Sequence, residues 1–408
     1  MKYVILIGDG MSDYPVSGLG GKTPLEVADI PNMDRMAQKG IFGLVSTIPK
    51  GFNPGSDTAN LSILGYDPKK YYTGRAPLEA ASIGLRLGPE DVAFRCNLIT
   101  LSARDGKIYM EDYSAGHITT EEGRELIRKI DNRLGTEDIK FCPGVSYRHI
   151  IVWKNGQEKL ETTPPHDISG KAIDPYLPKG KGKRIILKLM DDSKTILESD
   201  PINIRRVKES KKPANSIWLW GQGRAPEMPT LCERYNISGS VISAVDLIKG
   251  LGMYAGLEVV NVPGATGYLD TNYLGKAEYA LRELGEKDFV YVHVESPDEA
   301  SHSGNIEDKI KAIERFDKDV VGTVLDGIDK FGEFRVMVLP DHSTPLTLMS
   351  HTSDPVPFAI YSSNDSKVLP SKDLDFNERS AKKNSLYIED GYKLLTFLLR
   401  ENEVDLSS

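Results

Sequence analysis

Short apolar runs alternate with helix-like segments at both ends of the chain, and this alternation limits the fold more than any other feature of the sequence. The run at 3–7 (YVILI) is rich in β-branched residues and is closed by Gly8-Asp9-Gly10. Such a run is typical of a strand buried on both faces. We predict further strands at 41–47, 240–244, 257–262, 288–294, 334–339 and 356–361, and helices at 31–40, 247–256, 306–328 and 391–400. This alternation indicates an α/β fold with a mainly parallel sheet sandwiched by helices.

The middle of the chain has a different character. Its turns are closer together and richer in proline, glycine and charge, as at 163–167 (TPPHD) and 178–184 (PKGKGKR). We therefore predict an inserted α+β domain at 73–230. The core would then be discontinuous and would comprise 1–72 and 231–408.

Charge and cysteine content exclude several classes of protein. The 408 residues include 51 Lys and Arg against 59 Asp and Glu, a net charge of −8, which argues against binding to nucleic acid or an anionic membrane. No apolar run is long enough for a membrane span or a signal peptide. The three cysteines, Cys96, Cys142 and Cys232, form no CxxC pattern and are interpreted as reduced thiols. These features predict a cytoplasmic protein.

Possible metal ligands follow three of the predicted strands. In open α/β sheets ligands bind at the carboxyl ends of strands, where Asp9, Asp298 and Asp341 are expected. Asp298 and His302 have the i, i+4 spacing that places two side chains on one helical face. Asp341 and His342 are adjacent and would normally point apart, which suits a site with two metal ions.

Histidine is concentrated in the same part of the sequence. Four of the seven histidines, His293, His302, His342 and His351, can join the three aspartates in a mixed oxygen and nitrogen set that suits Mn²⁺ or Zn²⁺. His293 falls within a predicted strand and is interpreted as a packed core residue or a supporting one. Each aspartate alone would be consistent with a helix cap or a turn. Two metal ions together are an arrangement for in-line displacement at phosphorus or sulfur.

Ser56 is the candidate nucleophile. It follows the turn Pro54-Gly55 and opens a predicted helix, whose first N–H groups favour a phosphate. Metal coordination of its oxygen would favour the alkoxide that covalent catalysis requires. The alternative is a serine that only caps the helix.

Taken together, these segments resemble the archaeal-type cofactor-independent phosphoglycerate mutases of the alkaline phosphatase superfamily. The resemblance covers nearly the whole chain. It is carried by 5–10 (ILIGDG), 21–26 (GKTPLE), 31–34 (PNMD), 55–59 (GSDTA), 263–267 (PGATG), Asp298 with His302, 341–345 (DHSTP), and His351 with 354–357 (DPVP).

The resemblance implies an isomerase of glycolysis and gluconeogenesis that needs two divalent metal ions and no bisphosphoglycerate. Ser56 would become phosphoserine and later return the phosphoryl group to the other hydroxyl of a small phosphorylated hydroxy acid. One ion would be held by Asp298, His302 and His351. The other would be held by Asp9, Ser56, Asp341 and His342. Mn²⁺ is favoured, and Zn²⁺, Mg²⁺ and Co²⁺ also fit these ligands.

The inserted domain should supply positive charge to the substrate and keep water from the phosphoserine. Its candidates are His117, Arg148 and Arg224, with Arg95 a weaker one, although each alone would also be consistent with an ordinary surface charge.

Two alternatives to the mutase remain open at this point. A relative with the same core could be a phosphatase, a phosphonate hydrolase or a homoserine-kinase-like phosphotransferase. The second alternative is a non-catalytic binding protein that has kept the fold.

Overall fold

The computed structural model describes residues 1–364 and 374–399, so Arg400, the last residue of the predicted C-terminal helix, lies outside the described residues. The strands of the described part are β1 (Lys2–Gly8), β2 (Ile41–Val45), β3 (Val92–Arg104), β4 (Lys107–Asp112), β5 (Ile139–Val145), β6 (Arg148–Trp153), β7 (Leu160–Glu161), β8 (Lys179–Gly180), β9 (Ser216–Gly223), β10 (Gly239–Ile242), β11 (Glu258–Val260), β12 (Phe289–Val294), β13 (Phe334–Leu339), β14 (Val356–Ser362) and β15 (Tyr387–Ile388).

The α-helices of the same residues are α1 (Pro24–Val27), α2 (Pro31–Lys39), α3 (Ser56–Ile63), α4 (Pro68–Tyr71), α5 (Arg75–Ser82), α6 (Thr120–Leu134), α7 (Lys183–Glu198), α8 (Pro201–Lys208), α9 (Leu231–Tyr235), α10 (Asp246–Tyr254), α11 (Tyr273–Glu283), α12 (Ser296–His302), α13 (Ile306–Arg315), α14 (Thr323–Ile328), α15 (Glu378–Lys383) and α16 (Leu394–Leu399). A π-helical segment, Phe316–Gly322, joins α13 to α14, so the helix predicted at 306–328 is continuous. No helix among the described residues is long and apolar enough to cross a membrane.

The chain divides into two compact units. One comprises Met1–Tyr72 and the described part of Glu227–Ser408, and the other is Thr73–Pro226. The sequence predicts unit boundaries at 72/73 and 230/231, and the structure has them at 72/73 and 226/227. We call these the core unit and the inserted unit.

The core unit is built on a mainly parallel sheet, as the sequence predicts. Its strand order is β11-β10-β12-β1-β13-β14-β2-β15. The strands from β11 to β13 are all parallel, whereas β14 runs antiparallel to both of its neighbours. β1 is central, and Val4 to Ile7 are fully buried because the sheet is covered on both faces.

The start of α2 shows how a distant side chain completes a helix. The residue before α2, Ile30, provides no side-chain cap. The buried carboxylate of Asp317, in the π-helical segment, instead accepts hydrogen bonds from the backbone N–H groups of Met33 (2.7 Å) and Asn32 (3.2 Å). This contact satisfies amides that a helix N-terminus leaves without partners inside the helix.

The inserted unit contains an antiparallel sheet of order β4-β3-β6-β5, with β9 also paired to β3. Helices α6 and α7 pack against β5 and β9 and against each other. Its core includes Phe94, Leu126 and Trp218. This segregation of helices from an antiparallel sheet is the expected α+β arrangement.

Asp34 gives a pH-dependent prediction for the stability of the core unit. Its half-buried carboxylate accepts the backbone N–H of Phe376 (2.7 Å), and burial raises its pKa from 3.8 to about 6. Because the folded-state pKa is the higher one, this carboxyl stabilises the fold most below about pH 4, and that contribution is lost as the pH rises through about 6. After discounting for solvent screening, we expect Asp34→Asn to raise the free energy of unfolding by about 1 kcal/mol at pH 8 and to change it little near pH 4.

Urea unfolding of the metal-free protein at the two pH values measures this difference. An equal effect of the substitution at both pH values would contradict the prediction.

Candidate active site

Three adjacent strands of the core unit deliver the candidate residues to one edge of the sheet. β12, β1 and β13 lie side by side. Beyond their carboxyl ends, α12 follows β12, Asp9 follows β1, and Asp341 lies two residues after β13. The approach is close at Gly10, whose φ is 63°, because an added Cβ would lie 2.5 Å from Asp298 Oδ1. A side chain at this position would displace Asp298, so the turn requires glycine.

His351 reaches the same edge through a folded-back loop. The N–H of Thr352 donates to the carbonyl of Ser343 (2.9 Å), and the N–H of Thr344 donates to the carbonyl of Ser12 (3.1 Å). These backbone bonds tie the segment after β13 to the segment after β1 on one side and to the His351 loop on the other.

The first group of candidate ligands consists of Asp298, His302 and His351. Asp298 Oδ2 lies 3.1 Å from His302 Nε2, and the i, i+4 pairing on α12 is as predicted. The Nε2 atoms of His302 and His351 are 2.8 Å apart, and Asp298 Oδ1 lies 3.5 Å from His351 Nε2. The three side chains therefore present their ligand atoms to one small volume.

The second group surrounds the imidazole of His342. Its Nε2 lies 3.1 Å from Ser56 Oγ, 3.5 Å from Asp9 Oδ1 and 3.6 Å from Asp341 Oδ2. Asp341 and His342 nevertheless belong to different compact sets of ligand atoms, in line with the two-ion interpretation of their adjacency.

Ser56 is not a helix cap in this structure. It is the first residue of α3, and the capping position is held by Gly55. The Ser56 hydroxyl is partly exposed and forms its hydrogen bond with His342 Nε2. This placement suits a nucleophile, since the hydroxyl is close to the ligand cluster and remains accessible.

Asn60 links the helix of Ser56 to the ligand cluster, and sequence analysis missed it. Its amide nitrogen donates to Asp341 Oδ2 (2.8 Å) and to the carbonyl of Ser56 (2.8 Å). Its amide oxygen accepts from the hydroxyl of Tyr291 (2.5 Å), and both residues are fully buried. The four-residue spacing from Ser56 is the signal that could have identified Asn60, because it places both on one face of α3.

His293 is a further residue that the predicted ligand set omitted. It is fully buried in β12, and its Nε2 lies 3.2 Å from Asp9 Oδ2. The sequence places it in a strand that ends at the site. Its contact with Asp9, however, depends on how β12 registers with β1.

The pKa values of Asp298 in the first group and of Asp9 in the second group are shifted in opposite directions. Burial opposes ionisation of Asp298, but hydrogen bonds with His302 and His351 hold its pKa well below the ordinary range. Burial lowers the pKa of His302, yet its hydrogen bond with Asp298 raises it overall to about 9. Burial instead raises the pKa of Asp9 well above the ordinary range, and the carboxylates of Asp341 and Asp298 add to this.

The donor atoms fit divalent metal ions. Within Asp298, His342 and His351, and separately within Asp9, His293 and Asp341, one ligand atom from each residue lies within 4.8 Å of the others. Asp9 Oδ1 and His293 Nε2 are buried and form no hydrogen bond with any residue that the structure describes. A cation would neutralise the clustered carboxylates and give these two atoms a partner, as mixed carboxylate and imidazole sites do.

A buried ion pair connects the segments that follow β1 and β13. Lys309 Nζ contacts Asp13 Oδ2 (2.7 Å) and the carbonyl of Thr344 (3.0 Å), and the side chains of Lys309 and Asp13 are fully buried. Sequence analysis missed this pair. The available signal was a lysine on the apolar face of α13, where Ala312 and Ile313 are also buried.

We expect Lys309→Met to lower the free energy of unfolding by about 3–5 kcal/mol, because it leaves the carboxylate of Asp13 buried without its cation. Chemical denaturation measures the loss. Lys311→Met, on the exposed face of the same helix, is the matched control and should change stability by about 0.5 kcal/mol or less. Equal losses in the two variants would contradict a role for the buried pair.

The candidates of the inserted unit fall into two sets of contacts. His117 and Arg148 are exposed and both lie against the ring of Tyr147. Arg224 instead forms ion pairs with Glu90 and with Glu158 (3.2 Å).

Arg95 is buried rather than exposed. Its guanidinium lies 4.3 Å from the ring centroid of Trp220 and is paired with Glu79 (2.9 Å). Arg95 is therefore already paired within the inserted unit, with a carboxylate that Arg75 also contacts (2.9 Å).

The sheet, the paired aspartate and histidine groups at adjacent strand ends, and a serine at the start of a helix together define a metal-dependent phosphoryl-transfer enzyme. The family model of 2,3-bisphosphoglycerate-independent phosphoglycerate mutase matches residues 37–203. The chain belongs to this family, because it is 53% identical to the 2,3-bisphosphoglycerate-independent phosphoglycerate mutase of Methanosarcina acetivorans over 403 residues, which cover 98% of this chain and 100% of that protein.

Two further comparisons support membership of the same family. The chain is 52% identical over 400 residues to the mutase of the same name from Methanothrix thermoacetophila, with 98% of this chain and 100% of that protein covered. The solved structure of the cofactor-independent phosphoglycerate mutase of Thermoplasma acidophilum matches with a TM-score of 0.65 and 28% identity, covering 98% of this chain and 100% of the other. The predicted family and the predicted α/β fold with a mainly parallel sheet surrounded by helices are thus confirmed.

Proposed function

We propose that this protein interconverts 3-phosphoglycerate and 2-phosphoglycerate without a bisphosphoglycerate primer, through a phosphoserine at Ser56. The observation that carries the proposal is the position of Ser56 Oγ, 3.1 Å from His342 Nε2 at the edge of the ligand cluster. The names of the relatives support the same substrate class, a small phosphorylated hydroxy acid.

The proposed ligands follow the two groups. Asp298, His302 and His351 would hold one divalent ion, and Asp9, Ser56, Asp341 and His342 would hold the other. When bound, these ions supply charge neutralisation for the phosphate and favour the Ser56 alkoxide. Mn²⁺ is the ion we favour, and Zn²⁺, Mg²⁺ and Co²⁺ suit the same ligands.

The protein groups act mainly by positioning. Ser56 Oγ forms the new bond to phosphorus while the bond to the glycerate oxygen breaks, and the reverse transfer delivers the phosphoryl group to the other hydroxyl. Asn60 holds Asp341 and α3 in a fixed relation during both transfers. The N–H groups of the first turn of α3 favour the negative charge of the phosphoryl group.

The inserted unit is proposed to supply substrate contacts. His117 and Arg148, grouped on Tyr147, are suited to bind the carboxylate or phosphate of the substrate. Arg224 remains a proposed contact as well, although two glutamates already share its charge. A cytoplasmic location is likewise a prediction.

The test is an assay of the Mn²⁺-loaded protein with 3-phosphoglycerate alone. We expect 2-phosphoglycerate to form with no added bisphosphoglycerate and with little release of phosphate. Release of inorganic phosphate as the main reaction would favour a phosphatase. Activity that requires ATP and homoserine would favour a phosphotransferase, and fewer than one bound ion per chain with no reaction would favour a binding protein.

A further inference from the structure

We propose that His293 is a direct ligand, through Nε2, of the ion held by Asp9 and Asp341. This extends the predicted ligand set by one residue and rests on the two-ion site of the proposed function. It does not depend on which hydroxy acid is the substrate.

The pairing of β1 with β12 and β13 brings His293 and the two aspartates that follow β1 and β13 close together. In the parallel pairing Ile7 lies opposite His293 on one side and opposite Leu339 on the other. Asp9 is two residues beyond Ile7, and Asp341 is two residues beyond Leu339. Both aspartates lie just beyond the strand ends, and one ligand atom from each of Asp9, His293 and Asp341 lies within 4.8 Å of the others.

The contact between His293 and Asp9 is close, yet it is not a hydrogen bond. Nε2 lies 3.2 Å from Asp9 Oδ2, and this nitrogen forms no hydrogen bond with any group in the described part of the chain. A buried polar atom without a partner is costly. A cation beside Nε2 would give this nitrogen a partner and would also neutralise the Asp9 carboxylate, whose Oδ1 is another buried atom without a hydrogen bond to the described residues.

The other side of the imidazole is supported in the way expected of a metal ligand. Nδ1 faces Ser243 Oγ at 3.4 Å, and Ser243 Oγ already accepts the N–H of Val245 (3.0 Å). Ser243 Oγ can accept a hydrogen bond from a protonated Nδ1, and in that tautomer the Nε2 lone pair faces the carboxylates, as metal binding through Nε2 requires. Metal-bound histidines usually donate their second N–H to a carboxylate, a backbone carbonyl or a water, and here the Ser243 hydroxyl occupies that position.

The backbone at His293 is also fixed. Lys276 is fully buried, and its Nζ donates to the carbonyl of His293 (2.9 Å). The position of His293 is therefore fixed both by the contact of its ring with Ser243 and by the hydrogen bond to its backbone carbonyl.

The first measurement is diffraction from crystals of the Mn²⁺-loaded wild-type protein at the manganese absorption edge. We expect an anomalous peak at bonding distance, about 2 Å, from His293 Nε2, with Asp9 and Asp341 around the same peak. A peak beside Asp9 and Asp341 that is more than about 3 Å from Nε2, outside the range of a metal–nitrogen bond, would overturn the proposal.

The second measurement is Mn²⁺ binding by equilibrium dialysis, with Mn²⁺ alone as the probe. His293→Phe retains the volume of the ring without its nitrogens, and His293→Ala is the second variant. We expect both to bind one ion more than about 100-fold more weakly, beyond the 10–100-fold loss typical of an outer-shell partner, and to leave the other ion unaffected. His149→Phe removes another buried imidazole, in the inserted unit, and should bind two ions as the wild type does.

The outcomes separate this inference from the proposed function. Two ions bound with equal affinity by wild type and both His293 variants would overturn the inference and leave the two-ion site intact. Fewer than one ion bound by the wild-type protein would overturn both.

Discussion

Ser56→Ala is expected to reduce the conversion of 3-phosphoglycerate to 2-phosphoglycerate by roughly 10⁴-fold or more, as loss of a nucleophile does in other covalent mechanisms. The hydroxyl of Ser56 lies at the ligand cluster, and in the proposed mechanism it carries the phosphoryl group between the two positions. Intact mass of wild-type enzyme quenched during turnover should show a gain of one phosphoryl group. The variant should show none.

Ser62→Ala is the matched control for this substitution. Ser62 lies on the same helix, and its buried hydroxyl has no hydrogen-bond partner among the described residues. We expect the control to retain both activity and the phosphoryl mass. A Ser56→Ala enzyme that keeps near wild-type activity would contradict the phosphoserine mechanism.

Asp298→Asn is expected to have the second largest effect. The amide keeps the shape of the side chain but removes the charge that faces His302 and His351, so one of the two ions should be lost. Because an ion contributes several kcal/mol of charge stabilisation to the transition state, we expect activity to fall by roughly 10³-fold or more.

Elemental analysis after Mn²⁺ loading checks the stoichiometry of this variant. Wild type should hold two ions per chain and Asp298→Asn one. Glu307→Gln removes an exposed carboxylate from the next helix and should hold two ions with full activity. A full complement of two ions in Asp298→Asn would contradict the assignment of Asp298 as a ligand.

Most of the core sheet and the candidate ligands could be predicted because their signals are local. An apolar run that ends in Asp9, and an aspartate four residues before His302, specify a strand end and a helical face without knowledge of the rest of the fold. Each of these side chains lies where its own element places it.

The residues that escaped prediction depend on contacts between distant elements. Asn60 contacts Asp341 only because α3 packs beside the end of β13, and Lys309 pairs with Asp13 across 296 positions of sequence. His293 was set aside because alternation within β12 assigns it a face but does not reveal what the neighbouring strand brings to that face.

The central claim is that the phosphoryl group is returned to glycerate and not to water. Phosphorus NMR of the Mn²⁺-loaded enzyme with 3-phosphoglycerate, in water enriched in heavy oxygen, tests this most directly. We expect 2-phosphoglycerate to appear while the total ester phosphorus stays constant and no heavy oxygen enters either ester. Steady accumulation of inorganic phosphate that carries heavy oxygen, with no 2-phosphoglycerate, would contradict the account.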